Sequence, residues 1–134
     1  MEVRGIHHLG VAVTDLDEAM EVYGRLFGAR LEHRERIPDQ GVEVASLRVG
    51  AGRVELLASL GPETPVGRFL ERRGPGMHHI AFEVDRLEAE LARLHAEGTE
   101  LIDELPRRGA FGLEVAFLHP DATGGVLAEL VEHA

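Results

Sequence analysis

Apolar and polar positions alternate along His7-His8-Leu9-Gly10-Val11-Ala12-Val13. About half a chain later they alternate again, in the same phase, along His78-His79-Ile80-Ala81-Phe82-Glu83-Val84. A period of two marks a strand with one face in a core. Behind each strand the period lengthens to that of a helix. Ala19, Val22, Tyr23, Leu26 and Phe27 recur on one helical face, as do Leu87, Leu91 and Leu94. Thr14 with Asp17 three residues on, and Asp85 with Glu88, are start signals. Gly28 and Gly98 can supply the left-handed turn that stops each helix.

Three strand-like runs follow each helix. The first set is expected near Arg30–Arg36, Val42–Val49 and Arg53–Ala58, the second near Thr99–Glu104, Leu113–Leu118 and Val126–Glu132. Between the sets, Gly61-Pro62-Glu63-Thr64-Pro65 leads into a short helix ending at Gly74, with Thr64 as its cap and Pro65 in its first turn. The pattern predicts an α+β chain of two βαβββ repeats, residues 1–61 and 76–134, joined by a helical connector over 62–75. A repeat this short has too little core to stand alone, so residues 1–134 are expected to form a single domain.

Strand parity separates the paired histidines. His7 shares its face with Leu9, Val11 and Val13, and His78 with Ile80, Phe82 and Val84. His8 lies instead beside Gly10 and Ala12, and His79 beside Ala81, small neighbours that leave room above an imidazole. Two glutamates, Glu55 in Val54-Glu55-Leu56-Leu57 and Glu129 in Ala128-Glu129-Leu130-Val131, interrupt apolar strands at corresponding places in the two halves. A buried carboxylate must be paired, protonated or bound to a cation. The competing interpretation makes each histidine a hydrogen-bonded interior residue and each glutamate a solvated edge-strand residue. The correspondence between halves favours a His2Glu2 metal set of His8, Glu55, His79 and Glu129. Such donors suit Co2+, Mn2+, Ni2+ or Zn2+, with Mg2+ a further candidate, and octahedral geometry would leave two positions for substrate oxygens.

Other candidates are weaker. Glu43, in a strand close behind Gly41, is a candidate base. His119, before Pro120, either lines a pocket or serves a turn. Arg107 and Arg108, like Arg72 and Arg73, are either solvated charge or a meeting point for an anionic group. His33, His95 and His133 read as solvated.

A net charge of −10 excludes the basic footprint of a nucleic-acid partner. With no cysteine there are no disulfides or thiolate ligands, which suits a reducing cytoplasm. No apolar run approaches the roughly 20 residues of a membrane span. Met1-Glu2-Val3-Arg4 lacks the pattern of a secretory leader, so a cytoplasmic protein without membrane association is expected.

Several stretches resemble the vicinal oxygen chelate superfamily, or glyoxalase fold, and within it the methylmalonyl-CoA epimerases. They are His8-Leu9-Gly10-Val11-Ala12-Val13, Pro38-Asp39-Gln40-Gly41-Val42, Val54-Glu55-Leu56-Leu57 and the connector Thr64-Pro65-Val66-Gly67-Arg68-Phe69-Leu70. The likeness continues through Gly76-Met77-His78-His79-Ile80-Ala81-Phe82-Glu83-Val84, Phe117-Leu118-His119-Pro120, Thr123-Gly124-Gly125-Val126-Leu127 and Glu129-Leu130. The resemblance implies a curved mixed sheet around a metal site, with ligands at His8, Glu55, His79 and Glu129. Glutamine stands at the position of Glu55 in some relatives, and histidine often stands where this chain has Phe111.

The resemblance further implies Co2+ as the favoured ion, methylmalonyl-CoA or a related acyl-CoA as substrate, and a homodimer. It also implies two carboxylate bases, one near Glu129 and one on the strand after Gln40-Gly41-Val42, where Glu43 is the nearby carboxylate. A glyoxalase-I-like lyase shares the four-ligand set. A metal-free small-molecule binder of the antibiotic-resistance type shares the fold without needing ligands.

Overall fold

The computed structural model describes residues 2–134. Its elements follow the order β1 (Val3–Ala12), α1 (Leu16–Phe27), β2 (Arg30–Ile37), β3 (Val42–Val49), β4 (Gly52–Ser59), α2 (Pro65–Arg73), β5 (Gly76–Val84), α3 (Leu87–Ala96), β6 (Arg107–Arg108), β7 (Glu114–Leu118) and β8 (Ala128–Glu132). This is the α+β order of two βαβββ repeats. The chain divides into two compact units: His8–His78, and the stretch ending at His7 together with His79–Ala134. No helix among the described residues is long and apolar enough to cross a membrane.

In the first unit β2, β3 and β4 form an antiparallel meander, and β1 runs parallel to β4 from Leu9 to Ala12. One side of this sheet carries Ala45, Leu47 and Leu56, which pack with Leu16, Ala19, Met20 and Tyr23 of α1. The buried stripe of the helix therefore begins earlier than its hydrophobic pattern suggested, and Leu26 and Phe27 are exposed. The cap is Asp15, whose carboxylate accepts from Glu18 N at 2.9 Å, in place of the expected Thr14. Gly28 ends the helix in the left-handed conformation.

The second unit repeats the plan, with β6, β7 and β8 antiparallel and β5 parallel to β8. Val84, Ala116 and Leu130 pack on Leu87 and Leu91 of α3. Two expectations fail here. Thr99–Glu104 is not a strand and keeps only an isolated bridge between Leu101 and Leu118. The Asp103 carboxylate accepts from Phe117 N at 2.9 Å, taking a donor that a strand partner would have used, and the chain reaches β6 only after Pro106. Helix α3 is capped not by Asp85 but across the fold, by Glu132 Oε1 accepting from Leu87 N at 3.1 Å. Asp85 is held by Arg4, whose hydrogen bond keeps that carboxyl below the usual carboxylate range.

The connector helix starts as its sequence predicts, with Thr64 accepting from Gly67 N at 3.0 Å. Its cap is wedged against the turn between β2 and β3. Thr64 Oγ1 lies 2.8 Å from Ser59 Oγ, and Leu60 N donates to Gly41 O at 2.9 Å. Gly41 has φ +68°, and a Cβ there would stand 2.5 Å from Thr64 Cγ2. The Gln40-Gly41-Val42 stretch thus has a structural job. Gly41→Ala combines a left-handed alanine with a clash against the Thr64 side chain and should cost roughly 2–5 kcal/mol, read as a lower urea midpoint at unchanged slope.

Candidate functional site

Five polar side chains are buried among the described residues. They are His8, Ser46, Glu55, His79 and Glu129, at 3, 0, 6, 5 and 6% exposure. Four of them are the metal set expected from the sequence.

Register explains how each pair meets. Glu55 lies beside Gly10 across the β4–β1 pairing. His8, two residues before Gly10, projects from the same side, and its Nε2 is 3.3 Å from Glu55 Oε1. In the second unit Glu129 lies beside Ala81. His79, two residues before Ala81, brings Nε2 to 3.4 Å from Glu129 Oε1. The same construction occurs twice, and in each case a residue with little or no side chain leaves space beside the carboxylate.

These separations bear on what the pairs can hold. A charge-assisted N–H to carboxylate bond is typically about 2.7–2.9 Å long. Two ligand atoms each about 2.1 Å from one ion, at angles of roughly 90–110°, stand about 3.0–3.4 Å apart. The spacing and the chemistry of each nitrogen–oxygen pair therefore fit a shared divalent cation. Leaving the carboxylates buried without a cation or proton would cost several kcal/mol each.

The two carboxylates differ in their second neighbour. Glu129 is opposed on β7 by Phe117, whose ring also meets His79 edge-on at 5.6 Å. Glu55 is opposed on β3 by Ser46, whose hydroxyl has no hydrogen-bond partner among the described residues. A fully buried, unmet hydroxyl costs about 1–3 kcal/mol. Sequence reasoning missed Ser46. A lone serine within Val44-Ala45-Ser46-Leu47 gives no sign of its face until the strand register is known.

The same register decides the face of Glu43. It alternates with Ala45 and Leu47, the side packed against α1, whereas Glu55 shares its side with Ser46 and Val44. Glu43 accepts from Arg34 Nε at 2.9 Å, and Arg34 also donates to Asp17 of α1 at 2.6 Å. The hydrogen bonds to Asp17, then to Glu43, raise the Arg34 guanidinium above the usual arginine range, so it is a permanent cation here. Glu43 is its counter-ion, and the sheet stands between it and the Glu55 side. Glu43→Gln should change turnover less than about threefold while lowering stability by up to about 1 kcal/mol, the scale of an exposed ion pair. Steady-state kinetics and thermal melts on one preparation check both halves of that statement.

The remaining candidates separate. Arg107 is paired in register with Val115, which is two residues from Phe117 and so on the Glu129 side, and it reaches Asp103 at 3.4 Å. Arg108, beside Glu114, projects from the other side. His119 serves a turn: its Nδ1 accepts from Asp121 N at 3.1 Å, with Glu100 3.5 Å from Nε2. His95 is exposed beside Glu104, and His133 is bonded to Glu83 at 2.7 Å. His33, expected to be solvated, is half-buried with Nε2 2.8 Å from Glu35 Oε1.

Comparison with known proteins agrees with this architecture. The profile of the Glyoxalase/Bleomycin resistance protein/Dioxygenase superfamily matches residues 7–117. The human mitochondrial methylmalonyl-CoA epimerase is 37% identical over 126 residues, 93% of this chain and 72% of that protein. The crystal structure of methylmalonyl-CoA epimerase from Mycobacterium tuberculosis superposes with a TM-score of 0.94 at 41% identity, covering 98% of this chain and 89% of the other. A methylmalonyl-CoA epimerase in complex with methylmalonyl-CoA and NH4+ gives 0.95 at 36% identity, covering 99% and 96%. With a profile spanning most of its length and such relatives along nearly all of it, the chain belongs to the glyoxalase/bleomycin resistance protein/dioxygenase superfamily, in its methylmalonyl-CoA epimerase branch.

Proposed function

We propose that this protein is an isomerase that interconverts (R)- and (S)-methylmalonyl-CoA, and that His8, Glu55, His79 and Glu129 together hold one divalent ion, Co2+ in the first instance. The observation that carries the reading is the pair of buried His–Glu couples at equivalent strand positions, in a chain whose relatives are named as epimerases of this substrate.

The substrate carbon lies between a thioester and a carboxylate, so its hydrogen is weakly acidic. A divalent ion in this ligand set supplies Lewis-acid stabilisation of the charge that develops on the thioester oxygen. Glu129 removes the proton from one face and, as the conjugate acid, can return one. Burial of both couples excludes water and strengthens every electrostatic interaction in the site. Arg107, on the Glu129 side of its sheet, is the basic group best turned toward an anionic acyl-CoA. Arg108 and His119 are secondary candidates for substrate contact. A cytoplasmic homodimer completes the proposal, on the strength of the cysteine-free sequence and the family likeness; light scattering tests the dimer.

The deciding experiment is proton NMR of methylmalonyl-CoA in deuterated water with cobalt-loaded protein. Loss of the signal at the central carbon, with interconversion of the enantiomers, is the expected result. No exchange, together with turnover of a glutathione hemithioacetal, would replace this reading with a glyoxalase-I-like lyase.

A further inference from the structure

Asp103 is the acidic residue of the irregular stretch 99–104 that turns inward. Its side chain is 12% exposed, against 58% for Glu100 and 69% for Glu104. Where the pattern predicts a strand beside β7, this carboxylate takes the place of a backbone acceptor. Asp103 Oδ2 accepts from Phe117 N at 2.9 Å, and Asp103 N donates to Phe117 O at 3.1 Å, so one residue grips Phe117 through both backbone groups. A strand would meet the same donor with an uncharged carbonyl. The carboxylate instead brings a negative charge out of water, and such a charge needs a partner.

That partner is Arg107, whose Nη1 lies 3.4 Å from Asp103 Oδ1, the oxygen that Phe117 N leaves available. Arg107 is half-buried on β6 and, among the described residues, spends on Asp103 one of its five N–H donors. It stands opposite Val115 in register, and Val115 alternates with Phe117. Arg107, Phe117 and Glu129 therefore project from one side of the sheet, all within the second unit. Val115 and Val131, in the row of Arg107, are buried in an apolar cluster with Ala81. Two strands and two residues separate Arg107 from Glu129, roughly 12 Å between Cα positions at standard sheet spacings.

This distance sorts the anions of an acyl-CoA. The substrate carboxylate is bonded to the reacting carbon and stays beside Glu129. The phosphates lie at the far end of the pantetheine arm. A guanidinium set apart from Glu129, beyond an apolar strip on the same side, suits them in chemistry and in place. An arginine already tethered by Asp103 gives up less rotamer freedom when it binds.

We infer that Arg107 holds a phosphate of the CoA portion, and that Asp103 is the positioning residue that aims it while fixing Phe117 beside Glu129. This rests on the proposed function. It also gives the irregular stretch a reason: a regular strand would leave Phe117 N bonded and Arg107 without its tether.

The test compares methylmalonyl-CoA with methylmalonyl-pantetheine, the same thioester without phosphates, in wild type, Arg107→Ala, Asp103→Asn and the double variant. Asparagine keeps an oxygen for Phe117 N and removes the charge that faces Arg107. Calorimetry with propionyl-CoA reads affinity without epimerisation, while melts and cobalt titration check the fold and the ion site. In Arg107→Ala, the KM for methylmalonyl-CoA and the Kd of propionyl-CoA should rise roughly 10–100-fold, the scale of losing one charge-assisted hydrogen bond. Because a remote contact is made equally in ground and transition states, kcat should change less than about threefold, as should kcat/KM for the pantetheine thioester. Asp103→Asn should raise the same KM and Kd by about 3–10-fold with cobalt affinity kept, and should add nothing once Arg107 is replaced.

Equal losses with both thioesters in Arg107→Ala would assign the guanidinium to the substrate carboxylate and overturn the inference. Unchanged or tighter acyl-CoA binding in Asp103→Asn would overturn it too, as would additive effects in the double variant. Should Asp103→Asn fail to fold, Asp103→Ser repeats the comparison with another neutral acceptor, and Arg107→Ala decides if neither folds. Failure of the wild type to bind propionyl-CoA also overturns the inference. Wild type that binds propionyl-CoA through Arg107 without interconverting the enantiomers leaves the phosphate contact standing and counts against the proposed function alone.

Discussion

Cobalt should raise the melting temperature of the wild-type protein by several degrees, and His8→Ala or His79→Ala should abolish that rise. The four residues proposed as ligands are each buried in the folded chain, so an ion bound by them would stabilise the native state by mass action. At about 100 times its dissociation constant the ion contributes about 2.7 kcal/mol. At roughly 2–8 °C per kcal/mol for domains of this range of size, the increase is easily measured by calorimetry. Each variant is compared with its own metal-free melt, because removing a buried ring changes stability with or without cobalt. Glu55→Gln should keep much of the shift, since its amide oxygen remains a ligand atom. A full cobalt shift in the metal-free-competent His8→Ala and His79→Ala variants would remove both residues from the ligand set.

Glu129→Gln should reduce interconversion of the enantiomers by roughly 10^2–10^4-fold, the range expected for loss of a general base. The informative control is Glu55→Gln. The two carboxylates are equally buried and stand 3.3 and 3.4 Å from their histidines, so a purely ligating role would make the two substitutions equivalent. If Glu129 is also a base, its replacement is far more damaging, while cobalt titrations of the two variants give similar affinities. Equal kinetic losses would strip Glu129 of its base role and leave the ligand set intact.

The sequence by itself determined what depends on local pattern. Alternation at His8 and His79, the repeat that relates them, and the glutamates breaking two apolar strands pointed to four residues that are all buried in the folded chain. Gly28 and Thr64 announced a helix end and a helix start because capping is decided within a few residues. What only the tertiary structure decided is which residues of neighbouring strands share a side. Parity says that Glu43 and Ser46 project oppositely, but not which of them joins Glu55; the Ser46–Glu55 register does. The same holds for His33, whose line with Ser46 follows a register shift between Leu31 and His33. The failed strand at Thr99–Glu104 and the capping of α3 by Glu132 have one cause as well. In both, a side-chain carboxylate, Asp103 for Phe117 N and Glu132 for Leu87 N, satisfies a backbone donor that the local pattern assigns to another group.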